Sequence, residues 1–144
     1  MLPVTLKRSS IEFPTMLLID SGADYSILRR EIVEDAFNID ISSLKKGGET
    51  TGITGKTKVA DVNVKVIFGQ NNVEFEESIP FQVSLEKDKD PPLSFLGRNP
   101  FFYKYRIDFR MGYTTDPALG KFVIYPEVHK RKAEKYSRPL KIKK

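Results

Sequence analysis

The strongest constraint on the fold is a long stretch, from about residue 50 to residue 85, in which apolar and polar residues alternate. Val62, Val64 and Val66 are separated by single polar residues, and the period of two returns at residues 79–85 after a turn at residues 69–72. Alternation of this kind predicts strands that bury one face and leave the other in water. This part of the chain is therefore expected to form a β-hairpin.

Short strands are also expected elsewhere, at residues 2–6, 15–19, 95–96, 107–109 and 122–125. Two interruptions predict short helices. One is capped by Ser26 and runs to Phe37, and the other is capped by Asn99, has Pro100 at its first position and runs to about Arg106. Many short strands with two short helices indicate a mostly β domain that closes on itself.

The composition is that of a single globular domain, with 144 residues of which 40% are hydrophobic and 30% charged. The chain has no cysteine, which excludes disulfides, thiol catalysis and thiolate metal sites. No apolar segment approaches the roughly 20 residues of a membrane helix, and residues 1–8 lack a signal-peptide pattern. A cytoplasmic protein without a membrane partner is expected.

The basic charge is concentrated at the C-terminal end. Residues 130–144 hold eight of the 24 basic residues and one of the 19 acidic ones, so the rest of the chain is slightly acidic. This pattern predicts a domain over residues 1–128 and a flexible basic tail over residues 129–144. Nucleic-acid binding is the minority interpretation of the tail, because Tyr136 is its only aromatic residue.

The pentapeptide Asp20–Asp24 (Asp-Ser-Gly-Ala-Asp) follows directly on the apolar run Met16–Ile19. A buried strand there would place the Asp20 carboxylate at the carboxyl end of the strand. Ser21 and Gly22 allow a tight turn whose N–H groups face the carboxylate. The triplet Asp-Ser-Gly alone is also an ordinary turn, so its meaning depends on the rest of the chain.

Two further segments accompany this turn in the sequence, a hairpin tip at residues 51–55 and the segment Phe95–Asn99 (Phe-Leu-Gly-Arg-Asn). In this order the chain resembles the retropepsin family of aspartic proteases, the retroviral proteases and their cellular and prokaryotic relatives. The family signature Asp-Thr/Ser-Gly-Ala-Asp is matched by Asp20–Asp24. The resemblance covers roughly residues 2 to 109 and is closer to the cellular and prokaryotic branch.

The resemblance implies a closed retropepsin-like acid-protease barrel with one active-site Asp per subunit. Aspartic protease chemistry needs two carboxylates that share a proton, and this chain has one such motif, so a homodimer that pairs two copies of Asp20 is expected. Its activity would be peptide-bond hydrolysis with a bell-shaped pH–rate profile and without metal or cofactor. The residues implied to support Asp20 are Ser21, Gly22, Ala23, Asp24 and Arg98.

Arg98 is implied to form an ion pair with Asp24 and so to hold the turn that carries Asp20. The glycine-rich flap of the family is best matched by Gly52, Ile53, Thr54 and Gly55, which would cover an extended peptide. Gly47-Gly48 is a rival for the tip of the flap, because Thr54 stands where a glycine is common in the retroviral pattern. The alternative function is a dimer of the same fold that binds extended peptides and cleaves them slowly or not at all.

Overall fold

The computed structural model of the chain describes residues 1–52, 55–70, 72–110, 121–126 and 142–143. Within these ranges the backbone is mostly β, with two short helices at Ile32–Ala36 and Phe101–Lys104 and single 3₁₀ turns at Ile41–Ser43 and Lys87–Lys89. The strands are β1 Leu2–Arg8, β2 Ile11–Ile19, β3 Ser26–Leu28, β4 Lys45–Gly52, β5 Gly55–Gln70, β6 Val73–Ser84, β7 Phe95–Leu96, β8 Tyr105–Arg110, β9 Lys121–Pro126 and β10 Ile142–Lys143.

Six of these strands close into a barrel in the order β1-β2-β7-β3-β6-β5 and back to β1. The ring closes where residues 5–7 of β1 pair with residues 65–67 of β5. Strand β4, which has eight residues, lies outside the ring and pairs with β5. The expected mostly β, closed barrel with two short helices is confirmed.

The alternating segment forms the predicted hairpin, in which β5 and β6 pair from Val59 and Ser84 to Gln70 and Val73. Val62 faces Phe81 and Val64 faces Ile79 across the two strands, and each of the four side chains is at most 2% exposed. These residues occupy the interior of the barrel because a period of two places every second side chain on the same face.

The helix expected from Ser26 to Phe37 is wrong over its first part, because Ser26–Leu28 is strand β3 and the backbone becomes helical only from Arg30, just before the helix Ile32–Ala36. β3 runs parallel to residues 81–83 of β6 and also pairs with Phe95 of β7. Pairing on both edges stabilises an extended backbone that local helical spacing does not reveal. The remaining helix is a single turn, in which the Phe37 N–H donates to Ile32 O (3.0 Å).

The second helix is shorter than expected and begins later. Asn99 is not its cap, since the Asn99 N–H donates to Asp24 O (2.9 Å), and the residue that precedes the helix is Pro100. The helix ends at Lys104 because Tyr105 already pairs with Pro126 as the first residue of β8. The Tyr105 ring also stacks on the Phe101 ring with 4.9 Å between centroids.

Strands β8, β9 and β10 form a second, three-stranded sheet in the order β10-β9-β8. It joins the barrel through buried Tyr105 and Ile124, which belong to the same hydrophobic core, and through the Tyr105 hydroxyl, which donates to Glu77 Oε1 (2.7 Å). Burial and this bond to a carboxylate raise the pKa of Tyr105.

Of the basic tail, residues 142–143 form β10, and residues 129–141 and 144 lie outside the described residues. The boundary between the domain 1–128 and the tail therefore stays a prediction. Among the described residues, none of the helices combines the length and apolar character needed to cross a membrane.

The aromatic cluster between barrel and second sheet gives a test of the core. Phe101 is 1% exposed and its ring lies 5.7 Å from that of Phe68, so Phe101→Ala is expected to lower the free energy of unfolding by about 3–5 kcal/mol. Tyr103 in the same helix is 72% exposed, and Tyr103→Ala should change it by less than about 0.5 kcal/mol. Urea unfolding at one protein concentration measures both, and equal effects would contradict the packing described.

Candidate active site

Asp20 lies at the point where β2 leaves the barrel. Leu17 and Ile19 before it are buried, whereas Asp20 itself is half-buried. β2 runs parallel to β7, and the Asp20 N–H donates to Leu96 O (3.0 Å). The residue that follows β2 is thus fixed by the main chain of β7, and its carboxylate lies at the carboxyl end of both strands.

The turn after Asp20 is closed on the carboxylate, as the sequence predicts. The Gly22 N–H donates to Asp20 Oδ1 (2.9 Å), and the Ala23 N–H donates to Asp20 O (3.3 Å). A Cβ atom on Gly22 would lie 3.3 Å from Asp20 Oδ1, which is a tight contact. Within the described part of the chain Asp20 Oδ2 accepts no hydrogen bond, and the exposed Ser21 hydroxyl makes none.

The structure brings Asp24 and Arg98 together, and the Arg98 guanidinium donates to Asp24 Oδ1. Their side chains are 68% and 50% exposed, so the pair itself contributes about 0–1 kcal/mol. The main chain holds this region more firmly, because the Arg98 N–H donates to Ala23 O (2.8 Å) and the Asn99 N–H to Asp24 O (2.9 Å). Both ends of the ion pair are therefore positioned by backbone hydrogen bonds.

Ser26 and Gly97 form a support that the sequence did not assign. The Gly97 N–H donates to the buried Ser26 Oγ (3.0 Å), so this hydroxyl is an acceptor between strands rather than a helix cap. A Cβ atom on Gly97 would lie 2.3 Å from Tyr25 O. Only glycine allows the 97–99 segment to approach the Asp20–Asp24 turn this closely, and its place in Phe-Leu-Gly-Arg-Asn is the signal that pointed to it.

The hairpin of β4 and β5 is the candidate flap. Gly52 pairs with Gly55, whose φ of +93° suits a tight turn, while Ile53 and Thr54 lie outside the described residues. The rival tip at residues 47–48 is excluded, because these glycines lie within β4 at a bulge after Lys46. A Cβ atom on Gly47 would lie 2.5 Å from Asp61 Oδ1, which explains the glycine there.

A cleft of about 610 Å³ lies between the Asp20 turn, the β4–β5 hairpin and residues 91–93. Its apolar lining includes partly exposed Leu18, Ile27 and Phe95 and exposed Tyr25 and Leu93. Asp20 and Asp24 also line it, as do Glu49 and Lys89. The cleft therefore combines an apolar wall with a carboxylate at a strand end, which is the usual arrangement of a small binding site.

A second, more open hollow of about 980 Å³ lies between the β1–β2 hairpin and the turn of β5 and β6. Among its described lining residues Glu74 is the only one with an ionisable side chain. This hollow lacks converging polar groups, and the smaller cleft at Asp20 is the better candidate on chemical grounds. In the described part of the chain no three His, Asp or Glu side chains are grouped so that they could hold a metal ion.

The chain matches no family model, and a search of curated proteins also finds no match. The resemblance to retropepsins therefore rests on the sequence motifs alone.

The close approach at Gly97 can be tested by a single methyl group. Gly97→Ala must displace the Tyr25 backbone, and we expect it to lower the free energy of unfolding by about 1–3 kcal/mol. The matched control is Gly52→Ala, whose Cβ would meet no atom within 4 Å and which should change stability by less than about 1 kcal/mol. Denaturant titrations at equal protein concentration compare the two, and a Gly97→Ala protein as stable as the control would refute the tight packing.

Proposed function

We propose that this chain is a homodimeric aspartic endopeptidase in which Asp20 of each of two copies supplies one of the two catalytic carboxylates. The observation that carries the proposal is the position of Asp20, directly after buried Leu17 and Ile19 at the end of β2, in a cleft that is also lined by the β4–β5 hairpin. The pentapeptide Asp20–Asp24 and the contact between Asp24 and Arg98 support it.

The need for two copies follows from the chemistry. Hydrolysis of a peptide bond by carboxylates requires one group that accepts a proton and a second that donates one. The chain carries one Asp-Ser-Gly triplet. A twofold axis beside Asp20 supplies the second carboxylate, because an isologous interface brings identical residues together. Asp20 Oδ2, which accepts no hydrogen bond in the described part of the chain, is the atom left to face its copy and the attacking water.

In the proposed reaction the two carboxyl groups share one proton. The ionised carboxylate takes a proton from water as the water oxygen attacks the carbonyl carbon, and the protonated group gives its proton to the carbonyl oxygen. The tetrahedral intermediate then collapses and its C–N bond breaks. The carboxyl group that took the proton from water gives it to the leaving amine, and a hydroxyl of the intermediate returns a proton to the other carboxylate, so the pair again shares one proton. The bond from the Gly22 N–H to Asp20 Oδ1 keeps the carboxylate in place through these steps.

The cleft and the hairpin bind the substrate in this proposal. An extended peptide in the cleft would lie between the Asp20 floor and the underside of the hairpin, where Thr50, Thr57 and Val59 line the cavity. Main-chain hydrogen bonds to β4 would hold the peptide as an added strand. Closure of the hairpin would exclude bulk water and bring the scissile bond to the carboxylates.

Replacement of the proposed catalytic carboxylate gives the direct test. Asp20→Asn keeps the shape of the side chain and an acceptor for the Gly22 N–H, but it cannot take a proton from water. We expect peptide cleavage to fall at least about 100-fold, with the fold and the dimer retained. Cleavage of a peptide library from acid to neutral pH measures activity, and light scattering measures the dimer.

The matched control is Asp35→Asn, an exposed carboxylate in the first short helix, which should cleave as the wild type does. Undiminished cleavage by Asp20→Asn would overturn the assignment. A wild-type dimer that binds library peptides and cleaves none would show instead a peptide-binding module of the same fold.

A further inference from the structure

Residues 86–93 form the loop between β6 and β7. This loop contacts both the barrel and the β4–β5 hairpin, which would move relative to each other in the proposed mechanism. Lys89, Pro91, Pro92 and Leu93 line the cleft at the Asp20 floor. The charged first half of this loop predicts, from sequence alone, only a solvated turn. The structure gives those charges specific partners.

One end of the 86–93 loop is anchored to the barrel. The Arg30 N–H donates to Asp90 Oδ1 (3.0 Å), and the Arg30 guanidinium donates to Ser84 O (2.7 Å) and to Glu34 Oε1 (2.6 Å). Burial raises the pKa of Asp90, so this carboxylate is partly withdrawn from water. The cleft wall formed by the loop is thus fixed to the body of the domain.

The other side of the 86–93 loop is bonded to the candidate flap. The ladder between β5 and β6 stops at Val59 and Ser84, and the last main-chain bond beyond it runs from the Leu85 N–H to Lys58 O (2.9 Å). Past this point no strand among the described residues lies beside the edge of β5 that faced β6, which leaves the N–H and C=O groups on that edge without main-chain partners.

Two side chains of the loop satisfy this open edge. Glu86 Oε2 accepts from the Lys58 N–H (3.2 Å), and Lys89 Nζ donates to Lys56 O (2.7 Å). Lys89 Nζ also lies 3.7 Å from Glu86 Oε2, so the two groups support each other. The side-chain bonds of Glu86 and Lys89 thus take the place of the main-chain bonds that β6 would make if it continued along β5. They are the described links between the flap strand and the wall of the cleft.

We propose that Lys89 is a positioning residue for the flap, one that sets the height of the β4–β5 hairpin above Asp20 by holding the Lys56 carbonyl to the cleft wall. The part played in catalysis rests on the proposed function, whereas the effect on the hairpin does not. The lysine stem lines the cleft, and its ammonium group reaches the flap backbone. A flap held in this way needs less ordering when a peptide binds.

The test uses Lys89→Met in the full-length chain, since methionine keeps an apolar stem and removes the donor. The control is Lys87→Met in the same turn, because the exposed Lys87 side chain makes no hydrogen bond or ion pair within the described residues. Amide hydrogen exchange of residues 50–52 and 55–58 reports opening of the hairpin. We expect exchange there to be about fivefold faster in Lys89→Met and unchanged in Lys87→Met.

Peptide kinetics supply the second readout. Lys89→Met is expected to raise KM about fivefold and to leave kcat within about twofold, because the loosened flap must be ordered by the substrate. Lys89→Arg, which restores a cationic donor, should return both KM and the exchange rates toward wild type.

The two readouts separate failure of this inference from failure of the proposed function. Hairpin exchange in Lys89→Met equal to that of the wild type overturns the role of Lys89, whatever the activity. A wild-type chain that cleaves no peptide overturns the proposed function, and the exchange experiment then still decides whether Lys89 holds the hairpin. Faster exchange with an unchanged KM would overturn the catalytic part of the inference alone.

Discussion

The candidate site depends on a two-residue strand, β7, which lies between β2 and β3 and completes the barrel. Phe95 pairs with Leu18 on one side and with Ile27 on the other. This insertion brings the chain after Leu96 against the turn after Asp20, although the two segments are more than 70 residues apart in sequence. Removing β7 would open the ring and separate the Asp20 turn from Gly97 and Arg98.

The floor and the roof of the cleft are held by different kinds of interaction. Around Asp20 the contacts are main-chain hydrogen bonds to Leu96, Ala23 and Asp24, together with the buried bond from Gly97 to Ser26. The hairpin above is a two-stranded extension, and among the described strands its outer strand, β4, pairs with β5 alone. Side chains of Glu86 and Lys89 link it to the rest of the domain. A rigid floor under a roof with few attachments suits a reaction that needs fixed carboxylates and a cover that closes over a peptide.

Features set by local sequence pattern were predictable. The alternation at Val62, Val64 and Val66 predicted the central hairpin, because a period of two is a property of the strand itself. The Asp20–Asp24 turn and its bond to the Gly22 N–H were likewise predictable, because an apolar run followed by Asp-Ser-Gly determines both the end of a strand and a tight turn. The contact between Arg98 and Asp24 was expected from the resemblance to retropepsins.

Features that depend on distant partners were not predictable. Ser26 has the residue type of a helix cap, yet β3 is extended because β6 and β7 offer it partners on both edges. The helix after Pro100 ends early because Tyr105 joins β9 and packs on the Phe101 ring. The charges at Glu86 and Lys89 suggested a solvated loop, since nothing in their spacing shows that the edge of β5 lacks a strand partner beyond Val59.

The proposed mechanism requires two copies of Asp20, from two chains, to form one catalytic site. Adding an equal amount of freely exchanging Asp20→Asn protein to a fixed amount of wild type tests this requirement most directly. The mixture holds twice as many dimers, and random pairing gives two aspartates to a quarter of them. Peptidase activity is therefore expected to fall to about half of its starting value. Asp35→Asn protein added in the same amount should not reduce it. Activity that stays at its starting value on addition of the Asp20→Asn protein, while mixed dimers form, would contradict the claim.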